Sequence, residues 1–174
     1  IEPTLNAINE HGGTYKGFLY VGLMIKDGEP FLIEFNVRMG DPECQTILPT
    51  LKTDIMDIFL SCCNGSLNKS IINFSKSKSV CVVLCSKGYP DKFENNIEIK
   101  NLEKLKLIEN QNIFHAGTLK FKTGIVSNGG RVLNFVSTSD DFLKSRVEAI
   151  NLIQKLNWKN GYYRKDIGHK VIKI

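Results

Sequence analysis

The chain has 174 residues, of which 42% are hydrophobic and 24% are charged, and its formal net charge is +5. This composition is typical of a globular protein, and no apolar run is long enough to span a membrane. The lysines are spread along the chain without a dense cluster, which disfavours a nucleic-acid-binding function. Five cysteines without paired-ligand spacing indicate buried free thiols in a reducing cytosol rather than a zinc site.

The first part of the chain predicts two helices and an antiparallel hairpin. Gly12-Gly13 and Gly65 are helix-end signals, and Asp27-Gly28 is a hairpin turn signal. Thr53 or Asp54 is expected to cap the second helix. The predicted helices cover 1–11 and 54–63, and the predicted strands cover 16–26 and 31–37. The stretch 64–78 is rich in Ser, Asn and Lys and predicts a domain boundary, which gives domains at 1–72 and 79–174.

The second part of the chain predicts several strands followed by one long helix. The helix begins after Thr138-Ser139-Asp140-Asp141, runs to about Leu156 and is expected to end at Gly161. Its apolar stripe is predicted to comprise Leu143, Val147 and Ile150. The predicted strands cover 79–85, 113–121 and 130–137.

The second hairpin strand carries the most informative side chains. Because strand residues alternate between faces, Glu34, Asn36 and Arg38 share one face, and Ile33, Phe35 and Val37 form the other face, which is expected to be buried. Carboxylate and amide oxygens suit Mg²⁺, and a guanidinium matches a phosphate. The pattern predicts Mg²⁺-nucleotide phosphoryl transfer, although a water-exposed sheet face has the same alternation. Gly22 on the partner strand lies roughly opposite and either leaves space there or marks a bulge.

The segment Arg38-Met39-Gly40-Asp41-Pro42-Glu43-Cys44-Gln45 resembles the signature of the phosphoribosylamine–glycine ligase family, which belongs to the ATP-grasp ligases. Further segments resemble the landmarks of that family in the same order and cover nearly the whole chain. They are Gly17–Met24, Ser86–Pro90, Phe114–Thr118, Asn128–Val132 and Tyr162–Gly168.

The resemblance implies an α+β fold, in which the C-terminal part of an ATP-grasp lobe, an antiparallel hairpin with flanking helices, precedes a small antiparallel β-domain with one long helix. It implies an ATP-dependent ligase that joins glycine to 5-phosphoribosylamine through a glycyl phosphate, in the second step of purine synthesis. The implied cofactors are ATP and Mg²⁺ or Mn²⁺, with Glu34 and Asn36 as metal ligands. Arg38 is implied to contact the nucleotide and to be catalytic.

The resemblance also leaves parts of the family pattern unmatched. The partner strand Val21–Ile25 lacks a further carboxylate, so a third protein ligand is not expected. Nothing here resembles the N-terminal substrate domain or the glycine-rich loop over the phosphates. We therefore expect a C-terminal portion of a longer cytoplasmic ligase, a monomer or homodimer, that is inactive by itself.

Two further groups of residues are assigned to the substrates. Asp41 is expected to be catalytic and to orient the amine substrate or Arg38, or alternatively to cap the following helix. The resemblance places the turn containing His115, Gly117 and Thr118 at the substrate cleft, whereas a His bonded locally on a strand is the alternative. Gly129-Gly130 before Arg131 is interpreted as a hairpin turn.

Two other functions compete with this prediction. One is an ATP-grasp ligase with different substrates, which the Arg38–Glu43 and Tyr162–Gly168 segments disfavour. The other is a basic β-rich module that binds RNA or a protein, for which we expect exposed aromatic residues interleaved with Lys and Arg.

Overall fold

The fold is described from a computed structural model, which describes residues 1–122 and 124–172. The chain divides into two compact units, the first comprising 1–40 and 51–74 and the second comprising 41–50 and 75–174. The elements in chain order are α1 (Glu2–Glu10), β1 (Tyr20–Lys26), β2 (Glu29–Asn36), α2 (Glu43–Ile47), α3 (Ile55–Cys63), β3 (Lys78–Ser86), β4 (Gln111–His115), β5 (Thr118–Phe121), β6 (Gly124–Ser127), β7 (Arg131–Ser139), α4 (Phe142–Leu156) and β8 (Gly161–Tyr162). The predicted α+β class is confirmed, whereas the domain limits at 72 and 79 stay a prediction.

The first unit consists of the β1–β2 hairpin and helices α1 and α3. Asp27 and Gly28 both have positive φ angles, 53° and 85°, as a tight hairpin turn requires. Asp54 is the residue that caps α3, because its carboxylate accepts a hydrogen bond from the Met56 N–H at 2.8 Å. Phe18 packs edge-to-face on Phe59 with ring centroids 5.8 Å apart.

The apolar face of the hairpin is not buried, so that prediction is wrong. Ile33, Phe35 and Val37 are 63%, 39% and 73% exposed. A two-stranded ribbon buries apolar side chains only where a further layer packs on it, and none of the described residues covers these three.

The second unit is built on a four-stranded antiparallel sheet in the order β4-β7-β3-β8. Helix α4 packs on one face, where Val82 and Phe135 are cross-strand partners and both are fully buried. Leu152 and Leu156 extend this core from the helix. A separate two-stranded sheet pairs β5 with β6.

Several predicted boundaries in this unit are corrected. The strand expected at 113–121 is two strands, β4 and β5, which are separated at Ala116-Gly117, and β6 was not predicted. Helix α4 begins at the predicted cap, where the Asp141 carboxylate accepts from the Lys144 N–H at 2.8 Å. Its last residue is Leu156, as predicted, but the residue that caps this end is Asn157, in a left-handed conformation with φ 50°, and not Gly161.

The expected apolar stripe of α4 is only partly correct. Ile150 packs against the core, whereas Leu143 and Val147 are exposed. The buried face carries Ser145 and Ala149 together with the leucines of the core. Ser145 tolerates burial because its hydroxyl donates to the Lys78 carbonyl at 2.7 Å.

Candidate active site

Strand β2 presents Glu34 and Asn36 at alternate positions, and therefore on the same face of the hairpin. Glu34 pairs with Gly22 and Asn36 pairs with Tyr20 across the two strands. The Glu34 side chain is exposed and that of Asn36 is half-buried. Glu34 and Asn36 therefore lie on one face of the hairpin in the first unit.

The sequence predicted that Gly22 either leaves space opposite the ligands or marks a bulge, and the structure shows both. The register shifts between Gly22 and Leu23, which makes Ile33 the extra residue of β2. A Cβ atom at Gly22 would lie 3.0 Å from the Glu34 Cγ, which is closer than ordinary van der Waals contact. The glycine therefore gives the Glu34 side chain its room.

The oxygen atoms on this face fit a hard divalent cation. Among the described residues, the Glu34 and Asn36 side chains make no hydrogen bond or ion pair that would occupy their oxygen atoms. Mg²⁺ commonly takes one or two protein ligands and completes its shell with water and phosphate oxygens. Within the described ranges, no group of three or more His, Cys, Asp and Glu side chains forms an all-protein metal cage. A site shared with a nucleotide is the arrangement that this face can support.

Arg38 lies beyond the end of β2, so strand alternation does not extend to it. Its Nη1 donates to the neighbouring Met39 carbonyl at 3.0 Å, and its side chain is exposed. Among the described residues the guanidinium makes no other hydrogen bond or ion pair, and the predicted phosphate contact stays a prediction.

Asp41 belongs to the second unit, where it contacts Arg131. The Arg131 Nη2 lies 3.1 Å from the Asp41 Oδ2, and the Arg131 Nη1 donates to the Asp41 carbonyl at 3.0 Å. The Gln45 Nε2 donates to the Asp41 Oδ1 at 2.9 Å. Helix α2 has Pro42 as its N-cap and no side-chain cap, so the alternative in which Asp41 caps this helix is wrong.

The turn between β4 and β5 is held by local contacts. The His115 Nδ1 and the Thr118 Oγ1 are hydrogen bonded at 2.8 Å, as the locally bonded alternative predicted. The Gly117 N–H donates to the Arg131 carbonyl at 2.8 Å, and a Cβ at Gly117 would lie 2.6 Å from that same oxygen. Gly117 is therefore required for close packing of two backbone segments, whether or not a ligand approaches them.

The sequence interpretation did not assign Arg131 to the site, because it favoured a hairpin turn at Gly129-Gly130 over a phosphate contact by Arg131. The Arg131 side chain contacts Asp41 and its carbonyl contacts Gly117, so it joins two groups of predicted site residues. The sequence signals were the glycine pair, which has the composition of an ordinary turn, and the family resemblance of Asn128–Val132.

Two cysteines near this cluster are protected from ionisation. Burial raises the pKa of the Cys81 thiol to about 12, and the negative charge of Asp41 contributes in the same direction. Burial also raises the pKa of Cys85, against the opposing effect of Arg131. A thiol that stays protonated is a poor nucleophile, so neither cysteine is suited to covalent catalysis.

A cleft of about 490 Å³ lies beside α2 in the second unit. Its lining is mainly apolar and comprises Cys44, Gln45, Leu48, Pro49, Asn112 and Phe114. The Gln45 Oε1 is buried and has no hydrogen-bond partner among the described residues. This cleft borders the segment that contains Asp41.

Two family models match the chain. The model described as "Phosphoribosylglycinamide synthetase, C domain" matches residues 79–170, which is more than half of the chain. The model described as "Phosphoribosylglycinamide synthetase, ATP-grasp (A) domain" matches residues 1–44, which include β1, β2 and Arg38. The segments with the predicted metal ligands and with Arg131 therefore match different domains of the same family.

Individual relatives agree with the family models. Phosphoribosylamine–glycine ligase of Caldanaerobacter subterraneus is 42% identical over 96% of this chain and 39% of its own length. The chloroplastic enzyme of Arabidopsis thaliana is 40% identical over 99% of this chain and 33% of its own length. The crystal structure of the Thermotoga maritima enzyme superposes with a TM-score of 0.79 at 35% identity, over 95% of this chain and 40% of that one. The chain thus spans one third to two fifths of the length of these relatives.

Proposed function

Because the chain belongs to the phosphoribosylglycinamide synthetase family, we propose that it forms part of an ATP-dependent ligase that joins glycine to 5-phosphoribosylamine. The γ-phosphoryl group of ATP passes to the glycine carboxylate and gives glycyl phosphate and ADP. The amine nitrogen then attacks the carbonyl carbon, loses a proton and displaces phosphate. The products are glycinamide ribonucleotide, ADP and phosphate.

The observation that carries the proposal is the free face of Glu34 and Asn36, which lies within the region that matches the ATP-grasp model. We assign these side chains to Mg²⁺ or Mn²⁺ bound with ATP. Held there by Glu34 and Asn36, such a cation would neutralise charge on the phosphate oxygens and so lower the barrier to phosphoryl transfer. Arg38 supplies a fixed positive charge for the transferring phosphoryl group.

The second unit is assigned to the amine substrate. The Asp41 carboxylate orients the amine, and Arg131 and Gln45 hold this carboxylate in place. His115 and Thr118 mark the substrate side of the β4–β5 turn, and Gly117 lets that turn pack on the Arg131 backbone. Glycine and 5-phosphoribosylamine are the proposed substrates.

Other observations support this assignment over a nucleic-acid-binding module. The exposed stretch Phe31–Phe35 contains no Lys or Arg, whereas single-strand binding surfaces interleave aromatic and basic residues.

No helix among the described residues has the length and apolar character needed to cross a bilayer. The cysteines of the described ranges are free thiols, which agrees with the cytoplasmic location that we propose.

The test is product formation by the complete product of the gene that encodes this chain. Glu34→Gln removes the negative charge of one proposed ligand and Asn36→Ala removes the other ligand, and each is expected to lower kcat/KM by about 100-fold. Glu98→Gln is the control, because Glu98 is also an exposed carboxylate and forms its ion pair with Lys100, at 3.7 Å, in the second unit. Equal activity of all three variants would contradict the metal assignment, and no glycinamide ribonucleotide from the parent protein would contradict the proposed function.

A further inference from the structure

We propose that Arg131 is a positioning residue of this ligase, which acts by holding Asp41 in the orientation that the amine substrate requires. The inference rests on the proposed function, since Asp41 is assigned there to the amine. Arg131 itself is not assigned a contact with substrate or nucleotide.

The Arg131 guanidinium contacts Asp41 at two points. Two nitrogen atoms of one guanidinium engage two different oxygen atoms of one residue, the Asp41 carbonyl at 3.0 Å and the Asp41 Oδ2 at 3.1 Å. A planar fork that binds both the backbone and the side chain fixes the residue's position and the direction of its carboxylate. Gln45 binds the remaining Asp41 oxygen at 2.9 Å, which completes the restraint.

The backbone around Arg131 is itself held by several hydrogen bonds. The Ser86 N–H donates to the Gly130 carbonyl at 2.7 Å, and the Ser86 Oγ donates to the Gly129 carbonyl at 2.9 Å. A Cβ at Gly130 would lie 2.1 Å from the Tyr89 ring, so this turn lies directly against the aromatic side chain. Together with the hydrogen bond from the Gly117 N–H to the Arg131 carbonyl, these bonds hold the backbone at the start of β7 in place. The Arg131 side chain therefore extends from a fixed backbone position.

The ion pair between Arg131 and Asp41 is only partly buried. The Arg131 and Asp41 side chains are 43% and 39% exposed, and ion pairs at that exposure contribute little to stability. The contact therefore has a small effect on folding but a large effect on where one carboxylate points. This difference separates positioning from a merely structural role.

The experiment compares three variants in the complete gene product. Arg131→Gln removes the fork, and Arg131→Lys keeps the charge but cannot reach both Asp41 oxygens in one plane. The control is Arg164→Gln, because Arg164 forms a similar exposed ion pair with Asp166 at 2.6 Å. Steady-state kinetics are measured separately for ATP and for phosphoribosylamine generated in situ, together with the melting temperature.

Arg131→Gln is expected to lower kcat/KM for phosphoribosylamine by about 100-fold, with KM for ATP changed by less than about threefold. Arg131→Lys should recover part of the loss, and Arg164→Gln should have no effect on kinetics. If Arg131 acts through Asp41, then Arg131→Gln adds little further loss in an Asp41→Asn background. Should Arg131→Gln fail to fold, Arg131→Lys carries the comparison.

The possible contradictions are distinct. An active parent protein with unchanged kinetics in both Arg131 variants would overturn the inference alone. Fully additive losses in the Asp41→Asn background would do the same, because they would place Arg131 in an independent role. A parent protein that forms no glycinamide ribonucleotide would contradict the proposed function, and the inference with it.

Discussion

Replacement of Gly22 by alanine tests whether Glu34 binds a metal ion. The added Cβ would lie 3.0 Å from the Glu34 Cγ, so the carboxylate must retreat by a few tenths of an ångström. Mg²⁺ and Mn²⁺ sites tolerate deviations of only about 0.2 Å in ligand distance. We therefore expect Gly22→Ala to weaken the binding of divalent cations by roughly tenfold, within the range seen for changes around metal ligands.

The same substitution is expected to leave stability nearly unchanged. Glycine inside a strand costs about 0.5–1 kcal/mol relative to alanine, and this gain offsets the crowding of Glu34. The crowded atom belongs to a flexible, exposed side chain, which moves at little cost. Weaker metal binding without a lower melting temperature is therefore the specific signature of a displaced ligand.

The assay is paramagnetic broadening of backbone amide signals by Mn²⁺. In the parent chain, broadening is expected first at Glu34 and Asn36, and higher Mn²⁺ concentrations are needed in Gly22→Ala. Val21→Ile is the control, because it adds a methyl group to the same strand at the position paired with Phe35. Identical broadening curves for the parent and Gly22→Ala would refute the reasoning, as would broadening centred on other residues.

Three further predictions concern two buried side chains of the second unit, Asn134 and Cys81. The buried Asn134 Nδ2 has no partner among the described residues, so Asn134→Leu is expected to stabilise the fold by about 1–3 kcal/mol, seen as a higher melting temperature; a lower melting temperature would show that the amide is bonded. Because the pKa of Cys81 is raised to about 12, iodoacetamide at pH 8 should label the exposed Cys63 and leave Cys81 unlabelled until unfolding. Because the folded state binds the Cys81 proton more tightly than the unfolded state, the protonated thiol contributes its full share to the free energy of unfolding below pH 9, and this share is lost as pH rises toward 12. Cys81→Ala should reduce this alkaline loss of stability.

Local signals in the sequence were sufficient for the helix starts and for the hairpin. Asp54 and Asp141 cap α3 and α4 as predicted, because a cap depends only on a residue and the turn that follows it. The Asp27-Gly28 turn pairs Lys26 with Glu29 and Leu23 with Leu32, and the bulge at Ile33 then shifts the register by one residue so that Gly22 faces Glu34. Strand alternation was therefore enough to place Glu34 and Asn36 on one face, whereas the partner of Gly22 depends on the bulge.

Burial was less predictable, because it depends on the partners of a surface rather than on its own pattern. Leu143 and Val147 have helical spacing, yet the side of α4 that packs on the sheet is the one with the small residues Ser145 and Ala149. Small side chains let a helix approach a sheet closely, and the Ser145 hydroxyl is satisfied by the Lys78 carbonyl. Hydrophobic spacing therefore placed Ile150 correctly against the core and Leu143 and Val147 incorrectly.

The contact between Arg131 and Asp41 could not be predicted because it joins residues 90 positions apart. Nothing in the neighbourhood of either residue specifies the other, and both have plausible local interpretations. Only the pairing of β3 with β7 and the packing of α2 on β3 bring them together in the second unit. The site thus contains one part encoded locally and one part that depends on tertiary structure.

The central claim is that ATP activates a glycine carboxylate, and isotope transfer tests it most directly. Glycine labelled with ¹⁸O in both carboxylate oxygens is converted by the complete gene product, and the released phosphate is analysed by mass spectrometry. A glycyl phosphate passes one labelled oxygen to each phosphate and leaves the other in the amide of the product. Product formation with unlabelled phosphate, or ADP release that does not depend on glycine, would contradict the claim.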